Sequence, residues 1–226
     1  MTTNKSDCIS FEKGFEFEKI NNKYNTEFTN KLLENKHIFY EIYEKCNYKF
    51  INGCGSYLFD GTNYNYCDLM YEKQLLLYNN MKNVKNVLEI GTYMGHSLLI
   101  MLLSNPELKI TCVDIDDNFT LHAVTVLNNY FNNAITFIHS DSLIALKNMN
   151  EKFDFFHIDG SHAEDYITNE FFLIKSLNNN PDKLRVLFDD QYCMMNLQNT
   201  IELNYNIITK IIPNCQWNNI YYEIQI

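Results

Sequence analysis

Three aspartates and a histidine stand where two apolar runs end. Phe153-Asp154-Phe155-Phe156-His157-Ile158 stops at Asp159-Gly160-Ser161-His162, and Arg185-Val186-Leu187-Phe188 stops at Asp189-Asp190. Each run reads as a buried parallel strand. The interval between them holds one helical crossover. A right-handed crossover returns both strand ends to one edge of the sheet, so Asp159, Asp189 and Asp190 are expected to converge. Converging carboxylates repel unless a cation, a proton or a basic partner intervenes. Hard oxygen ligands of this kind suit Mg2+, Mn2+ or Ca2+ rather than zinc. The alternative is that Asp190 caps the next helix while Asp159 binds cofactor or backbone. His162 leaves the same strand end as Asp159. It can accept a proton near neutral pH, complete a metal shell, or simply hydrogen-bond its loop. His157 and His139 read as strand residues.

A second cluster of chemistry surrounds two glycines. Val87-Leu88-Glu89-Ile90 is a short apolar run, and Gly91-Thr92-Tyr93-Met94-Gly95-His96 follows it. The glycines let the backbone turn and approach a ligand closely. Ser97 to Leu103 then reads as a helix that Asn105-Pro106 ends. Strand, glycine turn and helix make a ligand pocket at the carboxyl end of the first strand of an open α/β sheet. Glu89 and the missing third glycine argue against a dinucleotide diphosphate, which a carboxylate would repel. An ammonium-bearing cofactor without phosphate fits better, and S-adenosylmethionine is one. A tight βα turn without a ligand is the plain alternative.

The remaining elements must position these groups. Lys109 to Asp116 is a second strand ending in acid. Asp114 is placed to accept the hydroxyls of an adenosine ribose, while Asp116 and Asp117 start the next helix, about 118–131. Ile135-Thr136-Phe137-Ile138-His139 is the third strand. Ser140-Asp141-Ser142 after it suits an adenine edge or a helix cap. Residues 206–212 and 219–226 form a closing hairpin with Trp217 between them. Tyr71 to Met81 is a helix burying Leu75, Leu76, Leu77 and Tyr78. Asn30 to Tyr43 carries apolar residues at helical spacing and reads as part of an amphipathic cap. Phe11, Phe15 and Phe17 are core or cover for the pocket. The irregular stretch 51–70, rich in turn residues, is a candidate lid or a plain connection. The expected fold is therefore α/β and Rossmann-like. It has a seven-stranded, mostly parallel sheet with a C-terminal antiparallel hairpin, helices on both faces and a helical N-terminal cap. Residues 1–70 are the cap and lid segment, and 71–226 the main domain.

With 226 residues, 46% of them hydrophobic, the chain can bury one substantial core. A net charge of -10 disfavours nucleic acid as the main partner. Seven scattered cysteines without a C-x-x-C pair read as reduced thiols, and hence as a cytoplasmic protein. Residues 1–15 show no apolar leader, and no run is long enough to span a membrane.

The ordered set Glu89-x-Gly91-x-x-x-Gly95-x-Ser97, Asp114, Ser142, Asp159-Gly-Ser-His162 and Asp189-Asp190 resembles the class I S-adenosylmethionine-dependent methyltransferases. Within them it is similar to metal-dependent O-methyltransferases related to catechol O-methyltransferase. The branch acting on macrolide and aminocoumarin sugars looks closer still. The resemblance covers about residues 71–226. It implies that Gly91, Tyr93 and Ser97 hold the methionine end of the cofactor, with Glu89 and Gly95 in the same motif. It implies that Asp114 holds the ribose and Ser142 lies at the adenine. Asp159, Asp189 and Asp190 become ligands of a divalent cation, Mg2+ first, with Asp159 also beside the cofactor. His162 falls on the base position, which is a lysine in the catechol enzymes, and Asp190 stands where those enzymes have Asn. The implied activity is O-methylation of a small molecule, a sugar or polyol with adjacent hydroxyls, by a chain that can form homo-oligomers. An inactive methyltransferase-like binding module, or an enzyme acting on a phenolic or macromolecular acceptor, is the competing reading.

Overall fold

The computed structural model describes residues 26–226. The readings placed on Phe11, Phe15, Phe17 and the leader-free start lie outside the described residues. A single seven-stranded sheet runs through the described residues in the order β3-β2-β1-β4-β5-β7-β6. Its strands are β1 (Asn86–Ile90), β2 (Lys109–Asp114), β3 (Ile135–His139), β4 (Phe155–Ile158), β5 (Lys183–Phe188), β6 (Asn206–Ile211) and β7 (Ile220–Gln225). The first five are parallel, and β7 pairs antiparallel with both β5 and β6. The C-terminal hairpin thus closes the sheet as expected, with its second strand, β7, on the inside.

Among the described residues eight α-helices cover the sheet. They are α1 (Glu27–Glu34), α2 (Lys36–Lys45), α3 (Tyr71–Asn80), α4 (His96–Ser104), α5 (Asp117–Tyr130), α6 (Ser142–Asn148), α7 (Glu164–Leu177) and α8 (Met195–Asn204). Strand alternation divides the core in two. Val87, Ile110, Phe155 and Leu187 face one cluster with α1 to α5. Leu88, Val113, Phe156 and Val186 face the other with α6 to α8. Because both faces are covered, the central strands are apolar on both sides. The amphipathic stretch from Asn30 is two helices rather than one. Asn35 breaks it at φ -111°, ψ 14°, and its side-chain amide donates to the Lys31 carbonyl at 2.9 Å.

Helix α3 departs from its sequence reading in a way that matters for the site. Leu77 and Tyr78 are buried, but so are Lys73 and Gln74, while Leu75 and Leu76 are only partly covered. The polar face of α3 therefore points inward, toward the carboxyl ends of the strands. The six described cysteines are all free. Among the described residues no helix is long and apolar enough to cross a membrane.

Candidate active site

One large cavity, about 830 Å³, opens at the carboxyl ends of β1, β2, β4 and β5. Its floor is the Gly91 turn, and its walls include Asp114, Ser142, Asp159, His162 and the segment 51–60. Its size suits a nucleoside-containing cofactor with a small acceptor beside it.

The Gly91 turn is set by its neighbours. Gly91 has φ +80°, and a Cβ there would lie 2.1 Å from the Asp159 carbonyl oxygen. Only glycine lets β1 and β4 deliver their ends this close together. The backbone amides of Thr92 and Tyr93 each donate to one oxygen of Asp114 at 2.8 Å. Thr120 donates to the same oxygen at 3.2 Å, and the Asp116 amide to the other at 3.0 Å. Asp114 thus holds the turn while its carboxylate borders the cavity. Tyr93, at φ +48°, also lines the cavity, and its hydroxyl accepts from the Ile51 amide at 2.8 Å. That bond ties the 51–60 wall to the turn. Ser97 lines the cavity from the start of α4.

Two residues of the glycine motif sit elsewhere than expected. Glu89 does not reach the cavity. It is fully buried, with its oxygens 2.9 Å from His157 Nδ1 and 2.9 Å from Thr92 Oγ1. Its charge is spent inside the sheet, because Glu89 and His157 are register partners on β1 and β4. His157 reaches on to the Tyr57 hydroxyl at 2.9 Å, which accepts from Asn219 at 3.1 Å. The carboxylate therefore joins the wall segment and the hairpin to the central strands instead of meeting an ammonium. Gly95 also lies off the cavity. At φ +66° it turns the chain into α4, and a Cβ there would lie 3.0 Å from Ala123.

The adenine-side residues hold one another. Asp141 caps α6 by accepting from the Ile144 amide at 3.0 Å, and Ser142 donates to Glu170 at 2.5 Å. Glu170 was not singled out from the sequence. It is buried, one of its oxygens has no hydrogen-bond partner among the described residues, and burial pushes its carboxyl up to about 7.

The three strand-end aspartates do converge. Asp159, Asp189 and Asp190 each place an oxygen within 4.8 Å of the others'. Burial, then repulsion from Asp189, raises the Asp159 carboxyl well above the carboxylate range. The same two causes raise Asp190. Asp190 sits at φ +49° and pairs with His162 Nε2 at 2.8 Å. Lys73, the inward residue of α3, places its ammonium 2.9 Å from both oxygens of Asp189. Its side chain is 4% exposed and that of Asp189 8%. Burial works against the Lys73 charge, but the carboxylates of Asp189 and Asp159 outweigh it and raise the ammonium above the usual lysine value. Sequence reasoning missed Lys73. Three convergent carboxylates demand a cation, and that demand was the available signal.

Whether the triad suits a divalent ion can be judged from these pairings. The donors fit in kind and spacing, since all are carboxylate oxygens at strand tips. Asp189 does not fit in its present pairing, because Lys73 occupies both of its oxygens.

A family of proteins described as a methyltransferase domain matches residues 88–190. A protein of Arabidopsis thaliana named "Putative caffeoyl-CoA O-methyltransferase" is 40% identical over 86 residues, covering 36% of this chain and 37% of that protein. The match thus spans just over a third of that relative's length. An O-methyltransferase from Bacillus cereus, solved with S-adenosylhomocysteine, superposes with a TM-score of 0.65 at 13% identity, covering 95% of this chain and 100% of the other. The N-methyltransferase NodS from Bradyrhizobium japonicum, also with S-adenosylhomocysteine, gives 0.59 at 12% identity, covering 82% and 98%. At such identities the structural likeness shows the fold. Residues 88–190, which hold the glycine turn and the three strand-end aspartates, thus carry the sequence pattern of a methyltransferase domain on that fold.

Proposed function

We propose that this chain transfers a methyl group from S-adenosylmethionine to a hydroxyl of a small molecule, with a sugar or polyol bearing adjacent hydroxyls as the acceptor class. The observation that carries this reading is one continuous cavity running from the glycine turn and Asp114 to His162. S-adenosylmethionine supplies an electrophilic methyl on a sulfonium. Asp114 orders the turn and offers its remaining lone pairs to ribose hydroxyls. Gly91, Tyr93 and Ser97 receive the methionine end, and Ser142 borders the adenine. His162 takes the acceptor's proton. Asp190 accepts from Nε2 and so leaves Nδ1 as the free base. The wall at 51–60 limits water and holds the acceptor close to the methyl. This division of labour makes 1–70 a cap that shapes acceptor choice and 71–226 the transferase domain. The Arabidopsis relative is named for a small-molecule acceptor, caffeoyl-CoA, which supports a small-molecule hydroxyl as the acceptor.

A second reading adds Mg2+, favoured by the 4.8 Å spacing of the three carboxylates. Asp159, Asp189 and Asp190 would hold it, and it would supply Lewis acidity to the acceptor hydroxyl. That reading requires Lys73 to release Asp189.

The test is transfer of isotope-labelled methyl from S-adenosylmethionine to a panel of sugars, polyols and catechols, with and without Mg2+. Labelled product from a vicinal diol supports the proposal. Absence of cofactor binding by calorimetry overturns it.

A further inference from the structure

We propose that Lys73 is the resident cation of the aspartate cluster: its ammonium holds the place on Asp189 that a divalent ion would take, and an ion enters only where Lys73 leaves. The geometry is that of a built counter-ion. Lys73 Nζ reaches both Asp189 oxygens at 2.9 Å from a side chain that is 4% exposed. The Tyr57 ring lies 4.5 Å from Nζ on another side and offers its π face to the charge. Tyr57 is itself fixed by His157 and Asn219, so the ammonium lies in a rigid frame.

A hard divalent ion binds carboxylate oxygen at about 2.0–2.6 Å. On Asp189 it would stand in contact range of Nζ, and the two cations would repel. Swinging Lys73 away would strand a buried ammonium without an anionic partner, which is costly. The remaining two aspartates are an incomplete seat, because Asp190 is already paired with His162. The cluster is therefore divided between two internal partners, Lys73 on Asp189 and His162 on Asp190, while all three aspartates border the cavity. Divalent ions are not required to keep the strand tips together.

The inference concerns the cluster and stands apart from the identity of the cofactor, so each has its own readout. Mn2+ is titrated into the full chain and its free signal followed by electron paramagnetic resonance. Calorimetry with S-adenosylhomocysteine on the same samples reports the cofactor reading separately. The wild type is expected to bind Mn2+ weakly. Lys73→Met, which keeps length and removes charge, is expected to gain one Mn2+ per chain at least tenfold tighter. Lys73→Arg keeps the charge and should stay like the wild type. Adding Asp189→Asn to Lys73→Met should abolish the gained site. Tight one-to-one Mn2+ binding by the wild type overturns the proposal, whether or not the Met variant folds. So does a folded Lys73→Met protein with no gain.

Discussion

Replacing Asp114 tests the link between the second strand and the glycine turn most sharply. Its carboxylate accepts from the Thr92 and Tyr93 amides at 2.8 Å each, with Thr120 and the Asp116 amide adding longer bonds. Hydrogen bonds to a charged group contribute about 1.5–3 kcal/mol each, and the lower figure suits a turn that borders a wet cavity. Losing the two short bonds in Asp114→Ala thus costs about 3 kcal/mol of turn order and ligand contact. The free amides then compete for water, and the ribose loses its acceptor. Calorimetry with S-adenosylhomocysteine should show affinity falling roughly 100-fold, since about 1.4 kcal/mol corresponds to tenfold. Asp114→Asn keeps one acceptor and should lose only about tenfold by the same conversion. If Asp114→Ala remains folded and binds within threefold of the wild type, the assignment of this cavity wall to the ribose is wrong.

Further perturbations have equally definite outcomes. Gly91→Ala places a Cβ 2.1 Å from the Asp159 carbonyl at a φ of +80°. It should destabilise the chain by about 3 kcal/mol or more in urea unfolding, at the severe end for single changes. A loss under about 1 kcal/mol would show that the strand tips can part easily. His162→Asn should lower kcat by about 10²–10⁴ while cofactor affinity holds, as loss of a general base does. Unchanged turnover would remove His162 from the proton transfer.

Glu170 governs a pH effect. Its folded pKa of about 7 lies above the ordinary glutamate value of 4.5, so its neutral form favours the fold. That stability is fully present below pH 4.5 and is lost as pH rises to about 7. The change amounts to roughly 3 kcal/mol. Glu170→Gln should therefore gain on the wild type across this window in urea midpoints. His96, lowered to about 3 by burial, acts in the opposite sense as pH falls below 6.5. The comparison is therefore between variant and wild type at each pH. Parallel curves would show that Glu170 ionises freely.

The sheet was legible because its strands are apolar runs that end in glycine or acid, such as Val87 to Ile90 before Gly91 and Val186 to Phe188 before Asp189. The crossover rule then predicted that Asp159, Asp189 and Asp190 would meet. What stayed hidden depends on which face of an element turns inward. In α3 the run Leu75-Leu76-Leu77-Tyr78 dominates the pattern. Tertiary packing nevertheless buries Lys73 and Gln74, because Asp189 at the tip of β5 accepts from Lys73 and the Tyr57 and Cys67 carbonyls of the 51–70 segment accept from Gln74. Glu89 was misplaced for a related reason. Its role depends on His157 standing beside it on β4, and that pairing is a matter of register, which periodicity does not encode. Trp217, which the sequence places between the two hairpin strands, either packed there or beside the acceptor, is 39% exposed and lines the cavity, since the β6–β7 connection turns toward the strand tips.

The central claim is that the cavity at the strand tips holds S-adenosylmethionine with its methyl directed toward His162. A crystal structure of the chain with S-adenosylhomocysteine tests it most directly. The account predicts the ribose against Asp114, the amino-acid end over the Gly91 turn and the sulfur facing the His162 side of the cavity. A ligand bound elsewhere, or turned with its sulfur away from His162, would contradict it.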